Sequence, residues 1–182
     1  MLYPRVNIRP GVLWLTGLSG SGKTTLARRV CAALEQRGGR VEHLDGDEMR
    51  RLFPGAGFTK EERDMNVRRA GHLAGLLEKH GVFVLASFVS PYAAARDFAR
   101  GQCRRFAEVY ISAPLAVCQR RDVKGLYAQA RRGELRGLTG VDDPYEPPRN
   151  AELEIDTSLI DEGEAFARLM AFIERTFGDA DA

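Results

Sequence analysis

The chain has 182 residues, 44% of them hydrophobic, and a formal net charge of +2. That is the length of one domain with enough apolar residues for a packed core, which excludes a disordered chain. The charge balance excludes a general nucleic-acid or membrane binder, although residues 96–136 hold ten basic against four acidic side chains. Such a basic sector reads either as a solvated charged face, the commoner case, or as suited to a small phosphorylated or sulfated ligand. Three cysteines, Cys31, Cys103 and Cys118, have no metal-ligand spacing, and a small odd number points to a reducing compartment. No apolar run reaches the roughly 18 residues of a membrane span, and the N-terminus lacks an apolar leader. A soluble cytoplasmic protein is expected.

In chain order, the apolar run over 12–16 (VLWLT) predicts a strand covered on both faces. It leads into Gly17-Leu18-Ser19-Gly20-Ser21-Gly22-Lys23-Thr24, followed by Thr25, a full G-x-x-x-x-G-K-[ST] pattern that opens a helix predicted over 23–37. The glycines let backbone N–H groups curl around phosphate oxygens, and the helix N-terminus adds its dipole. Lys23 is placed to reach the β- and γ-phosphates, and the Thr24 hydroxyl to ligate Mg²⁺. The segment reads as a site for a nucleoside triphosphate with its metal.

A second strand is predicted over 41–44, with Asp45-Gly46-Asp47 and then Arg50 at its end. In a parallel α/β sheet, ligands sit at the carboxyl ends of the strands. Two carboxylates there, beside the phosphate loop, can divide between holding the water shell of Mg²⁺ and accepting a hydroxyl proton. The alternative makes Asp47 the N-cap of a following helix. A Gly/Pro loop is predicted at 51–59, and Thr59 with Glu62 forms a capping box that starts a helix over 60–80. Arg63, Asn66 and Arg69 share one face of that helix, just after Phe58. They read either as a grip for an anion and a base or as a solvated charged face.

A third strand over 82–87 is followed by Phe88-Val89-Ser90-Pro91-Tyr92, where Ser90 is either a ligand or the N-cap of a helix over 93–101. Then come a strand at 106–111, a helix at 115–121, a strand at 152–155 and a helix at 159–177. The stretch 133–150, with three prolines, fits neither element type. So long an irregular segment reads as a functional loop or a lid. The alternation as a whole predicts an α/β fold with a mainly parallel sheet.

The ordered set W-L-T-G-L-S-G-S-G-K-T-T, L-D-G-D-E-M-R, G-F-T-K-E-E-R-D-M-N-V-R-R, S-F-V-S-P-Y, R-D-V-K-G-L-Y, L-T-G-V-D-D-P-Y-E-P-P and E-I-D-T closely resembles the adenylylsulfate (APS) kinase family over residues 11–157. The resemblance implies a single three-layer P-loop kinase domain over 1–182, with a five-stranded parallel sheet and a lid over about 122–149. It implies transfer of the ATP γ-phosphoryl group to the 3′-hydroxyl of adenosine 5′-phosphosulfate, giving ADP and PAPS in sulfate assimilation. Asp45 and Asp47 match the family's pair beside Mg²⁺ and the acceptor hydroxyl; Asp45 is read on the metal side with Thr24, and Asp47 on the acceptor side. Arg50, Phe58, Arg63 and Asn66 match positions that hold the phosphosulfate nucleotide, with Phe58 expected to stack on adenine. Val89 and Ser90 match the edge of the acceptor pocket. Lys124, Gly125 and Leu126 match the start of the lid, with Lys124 near the transferred phosphate, and Thr139 to Asp143 match its far limb. No nucleic-acid or membrane partner, a homodimer and a functional link to ATP sulfurylase are also implied. The chain departs from the pattern at Ala93-Ala94-Ala95, where the family usually carries charge, and at Val123, where proline is common. A same-fold kinase for another activated nucleotide, such as a CDP-linked one, or for a small hydroxyl acceptor is the alternative. A nucleotide-binding module without catalysis is a further one.

Overall fold

The computed structural model describes residues 8–53 and 59–178. Phe58 lies outside them. Five strands, β1 (Gly11–Thr16), β2 (Val41–Asp45), β3 (Phe83–Ser87), β4 (Phe106–Ser112) and β5 (Leu153–Asp156), make one parallel sheet in the order β2-β3-β1-β4-β5. The helices are α1 (Lys23–Gln36), α2 (Gly46–Leu52), α3 (Lys60–Lys79), α4 (Ala93–Gly101), α5 (Leu115–Arg121), α6 (Leu126–Arg131) and α7 (Glu162–Phe177).

Side chains alternate across a strand, and both faces of this sheet are covered. Leu13 and Leu15 of β1 pack with Leu26, Val30 and Leu34 of α1 and with Leu169 and Ile173 of α7. Val12 and Trp14 point the other way, into a layer with Val67, Ala70 and Ala74 of α3 and Ala95 and Ala99 of α4. All of β1 is buried as a result, which is why its sequence is an unbroken apolar run. Trp14 stacks on Phe88 at 5.0 Å and on Phe106 at 6.0 Å between ring centroids. The fold is the three-layer α/β arrangement expected. Because β1 is central, the strand order turns at its carboxyl end, where α/β sheets place their ligands.

Residues 46–52 form α2, the helix of the alternative reading of Asp47, and it runs into the start of the expected 51–59 loop. A second short helix, α6, was not foreseen and interrupts the segment 122–149. The cap of α2 also differs from expectation. Asp45, not Asp47, occupies the N-cap, with its carboxylate accepting the Asp47 N–H. The capping box of α3 is present as read, Thr59 and Glu62 bonding each other's backbone. Ser90 is not the N-cap of α4. That position is held by Tyr92, with no side-chain cap, while the Ser90 hydroxyl turns inward to the Trp14 indole. Among the described residues, no helix is long and apolar enough to cross a membrane.

Candidate active site

The loop from Gly17 to Gly22 joins β1 to α1. A side chain at Gly17 would put its Cβ 2.2 Å from the Ile111 carbonyl oxygen, and Gly22 caps α1 in the left-handed region at φ 99°. Only glycine takes that path without strain. Lys23 folds back over the loop, its ammonium donating to the Leu18 carbonyl at 2.8 Å. Burial lowers the Lys23 pKa to about 8, and the nearby Lys124 pushes it the same way. It remains charged at neutral pH, as an ammonium that grips phosphate must. Two residues that sequence reasoning missed brace this loop from outside. Thr157, just after β5, donates from its hydroxyl to the Ser21 carbonyl at 2.9 Å. Arg121, at the end of α5, donates to the Gly20 and Thr157 carbonyls at 3.3 and 2.6 Å. Polar residues at the carboxyl edge of the sheet were the signal that could have found them.

The two carboxylates after β2 sit in different surroundings. Asp45 is buried and Asp47 is half-exposed. Burial by itself would raise the Asp45 pKa. The Asp47 N–H and the Thr24 and Ser87 hydroxyls outweigh it, and the carboxyl stays below its ordinary value. The Thr24 hydroxyl donates to Asp45 Oδ2 at 2.9 Å. A hydroxyl beside an ionised carboxylate is a hard-oxygen set of the kind Mg²⁺ takes, with one or two protein ligands and the rest from phosphate and water. No cluster of three or more His, Cys, Asp or Glu side chains suits a metal among the described residues, so an all-protein cage is not what this site offers. Asp47 faces the other way, ion-paired to Lys124 and 3.6 Å from the Arg50 guanidinium.

Arg63 and Asn66, one turn apart on α3, are both buried. Arg63 bonds the Thr139 hydroxyl and the Gly137 carbonyl and lies 3.3 Å from Asp143, which ties α3 to the segment 122–149. The Asn66 amide donates to the Gly46 carbonyl at 3.5 Å, and its oxygen has no hydrogen-bond partner among the described residues. Arg69 does not join this group; it stacks over Phe53. The Val89 carbonyl accepts from Thr16, and the Ser90 hydroxyl donates to Thr16 while accepting from Trp14. Ser90 has φ 39°, a left-handed strain held in place by these bonds and by Arg96, which donates to its carbonyl at 2.8 Å.

The segment 122–149 contacts both the phosphate loop and the turn after β3. Asp122 accepts from the first N–H groups of α6, and the Tyr127 hydroxyl donates to the Ser19 carbonyl at 2.9 Å. Farther on, Tyr92 donates to Asp143 at 2.9 Å, and Glu146 bonds the Pro91 carbonyl and the Ala93 N–H. Ala95 is buried in the core, so Glu146 and Arg96 supply the polar contacts where the sequence has three alanines.

These parts enclose one cleft of about 950 Å³. Ser19, Gly20, Gly22, Lys23, Thr24, Thr25, Asp45, Asp47, Arg50, Arg63, Asn66, Val89, Ser90, Lys124 and Leu126 all line it. Of the other residues singled out from sequence, Gly17, Leu18, Ser21 and Gly125 stand behind its wall. Leu18 packs with Leu126 and Tyr127 in a small apolar cluster that joins the phosphate loop to α6. The arrangement has a nucleotide-sized groove, with a cation and a hydroxyl at the phosphate end and the Asp47 carboxylate paired to Lys124 beyond them.

A family profile for adenylylsulphate kinase matches residues 9–156. The chain is 50% identical to the adenylyl-sulfate kinase of Gloeothece citriformis over 159 residues, covering 87% of this chain and 90% of the relative. It is 49% identical to that of Halothermothrix orenii over 163 residues, covering 89% of this chain and 88% of the relative. Among solved structures, the Mycobacterium tuberculosis APS kinase in complex with AMPPNP and APS superimposes with a TM-score of 0.87 at 38% identity, over 92% of this chain and 99% of that one. A hexameric APS kinase from Thiobacillus denitrificans matches at a TM-score of 0.68 and 31% identity, over 92% of this chain but 29% of its own. On this likeness of sequence and of fold, the chain belongs to the adenylyl-sulfate kinase family.

Proposed function

We infer that this kinase transfers the γ-phosphoryl group of ATP to the 3′-hydroxyl of adenosine 5′-phosphosulfate, giving ADP and 3′-phosphoadenosine 5′-phosphosulfate. The observation that carries this reading is the Asp47–Lys124 ion pair, which sets a carboxylate and a cation beside the phosphate loop in a chain of this family. In the reaction the acceptor oxygen bonds to the γ-phosphorus, the bond to the β–γ bridging oxygen breaks, and its electron pair stays on ADP. Asp47 takes the hydroxyl proton. Lys23 and Lys124 offset charge on the phosphoryl group as it moves, which is electrostatic positioning with little covalent work by the protein. Thr24 and Asp45 would hold Mg²⁺, which would supply charge neutralisation at the phosphates.

The acceptor subsite runs along Arg50, Arg63, Asn66, Val89 and Ser90. The spare Asn66 oxygen suits a donor such as an exocyclic amine, and the arginines suit an anionic tail. Phe58 is proposed to stack on the base, although it lies outside the described residues. Residues 122–149, with Lys124, Gly125 and Leu126 at their start, act as a lid that excludes water and suppresses wasteful ATP hydrolysis. We place the enzyme in the cytoplasm as a homodimeric single domain that takes its acceptor from a sulfurylase reaction.

The test is an ADP-release assay with Mg-ATP, offering adenosine 5′-phosphosulfate, AMP and a CDP-linked acceptor separately. ADP formation that requires adenosine 5′-phosphosulfate supports the assignment. Formation with another acceptor alone moves the specificity to a same-fold kinase. Silence with every acceptor while ATP still binds contradicts catalysis.

A further inference from the structure

Asp45 is held by more than the phosphate loop. Its Oδ2 accepts two hydroxyl bonds at 2.9 Å, one from Thr24 and one from Ser87. Ser87 in turn lies 2.9 Å from His43 Nε2. Strand register creates this chain of contacts. In the parallel pairing of β2 with β3, Asp45 stands opposite Ser87, and His43, two residues earlier, shares a face with Asp45. The proton positions follow from counting. An ionised carboxylate only accepts, so Ser87 spends its one proton on Asp45 and must accept from the imidazole. His43 therefore carries its proton on Nε2.

We propose that Ser87 and His43 are positioning residues for the metal-side carboxylate: His43 orients the Ser87 hydroxyl, and Ser87 fixes the Asp45 rotamer from the neighbouring strand, independently of Thr24. Neither residue belongs to the phosphate loop or the Asp-Gly-Asp turn. The physical need is specific. A metal ion bound to the Thr24 oxygen draws that hydroxyl toward itself, whereas the Ser87 bond comes from β3 and does not depend on the ion. Without Ser87 the buried carboxylate keeps, among the described residues, only the Thr24 hydroxyl as a side-chain donor, and outer-shell partners of this kind tune metal affinity. This inference rests on the reading above that puts Asp45 on the metal side.

The experiment measures binding of a non-hydrolysable ATP analogue by calorimetry, with Mg²⁺ and with a chelator, so that no turnover is involved. In Ser87→Ala the enhancement of affinity by Mg²⁺ falls about tenfold, while the metal-free affinity is unchanged. His43→Leu gives a smaller loss in the same direction. His43→Gln, whose side-chain amide can still donate to Ser87, restores the enhancement. Full Mg²⁺ enhancement in Ser87→Ala overturns the proposal, as does equal behaviour of His43→Leu and His43→Gln. If Ser87→Ala does not fold, the two His43 variants decide it alone. Asp45→Asn separates the two levels. Loss of the enhancement there with full enhancement in Ser87→Ala sinks only the relay; enhancement retained in Asp45→Asn sinks the metal-side placement and the relay together.

Discussion

The phosphate-loop end of the cleft and its acceptor end are built by different means. The first is one contiguous segment whose path is set by β1, the start of α1 and two glycines that tolerate no side chain. The second is assembled from α2, α3, the turn after β3 and the segment 122–149, which supply Asp47, Arg63 with Asn66, Ser90 and Lys124. What joins those pieces is polar: Asp47 to Lys124, Arg63 to Thr139 and Asp143, and Arg96 to Glu108 and to the carbonyls of Ser90 and Glu146. A backbone cradle is robust to most side-chain changes. A site made of struts between distant elements depends on each strut.

Five substitutions sharpen or break that contrast. Asp47→Asn should lower kcat about a thousandfold, within the range for a positioned general base, and leave binding of an ATP analogue unchanged. A normal turnover in that variant would remove the proposed acceptor-side role. Arg96 is almost fully buried and pairs with Glu108 at 2.6 Å. Among the described residues, Arg96→Ala leaves the Glu108 carboxylate only Arg100, 4.0 Å away, and should cost about 3–5 kcal/mol in urea unfolding. The exposed pair of Arg29 with Glu162 beside the phosphate-loop end should cost under about 1 kcal/mol when Arg29 is replaced by alanine. Equal losses would erase the distinction between the two ends.

The next effect is on pH. Lys23 has a pKa of about 8, so its ammonium is charged below that pH and loses its proton above it. If only the ammonium grips phosphate, affinity for an ATP analogue weakens about tenfold between about pH 7 and about pH 9. The trend should vanish in Lys23→Met; a Lys23→Met protein with the same pH profile would assign the titration elsewhere. A small effect is also expected of Tyr127→Phe, which removes the hydroxyl bond to the Ser19 carbonyl. It should destabilise the protein by about 1 kcal/mol in the same urea assay.

The same contrast explains what could be read in the sequence. β1, the phosphate loop and α1 are adjacent in the chain, and apolar run, glycine spacing and helix start agree there. The capping box of α3 is equally local. By comparison, α2 and α6 are seven and six residues long and each buries a single side chain, too little for a helical period to show. Ser90 before Pro91 has the look of a helix cap, but a buried indole N–H 76 residues away needed an acceptor, and the hydroxyl went there. The contact of Asp47 with Lys124 spans 77 residues and was accessible only through family resemblance. That of Asp45 with Ser87 follows from the pairing of β2 with β3, which no local pattern specifies.

The most direct test follows the phosphoryl group itself, with γ-labelled ATP and adenosine 5′-phosphosulfate as the only acceptor, in the wild-type protein and in Asp47→Asn side by side. The label should appear in a nucleotide from which a 3′-nucleotidase releases it, and the variant should form almost none. Label recovered only as inorganic phosphate, with the acceptor unchanged, would contradict the assignment.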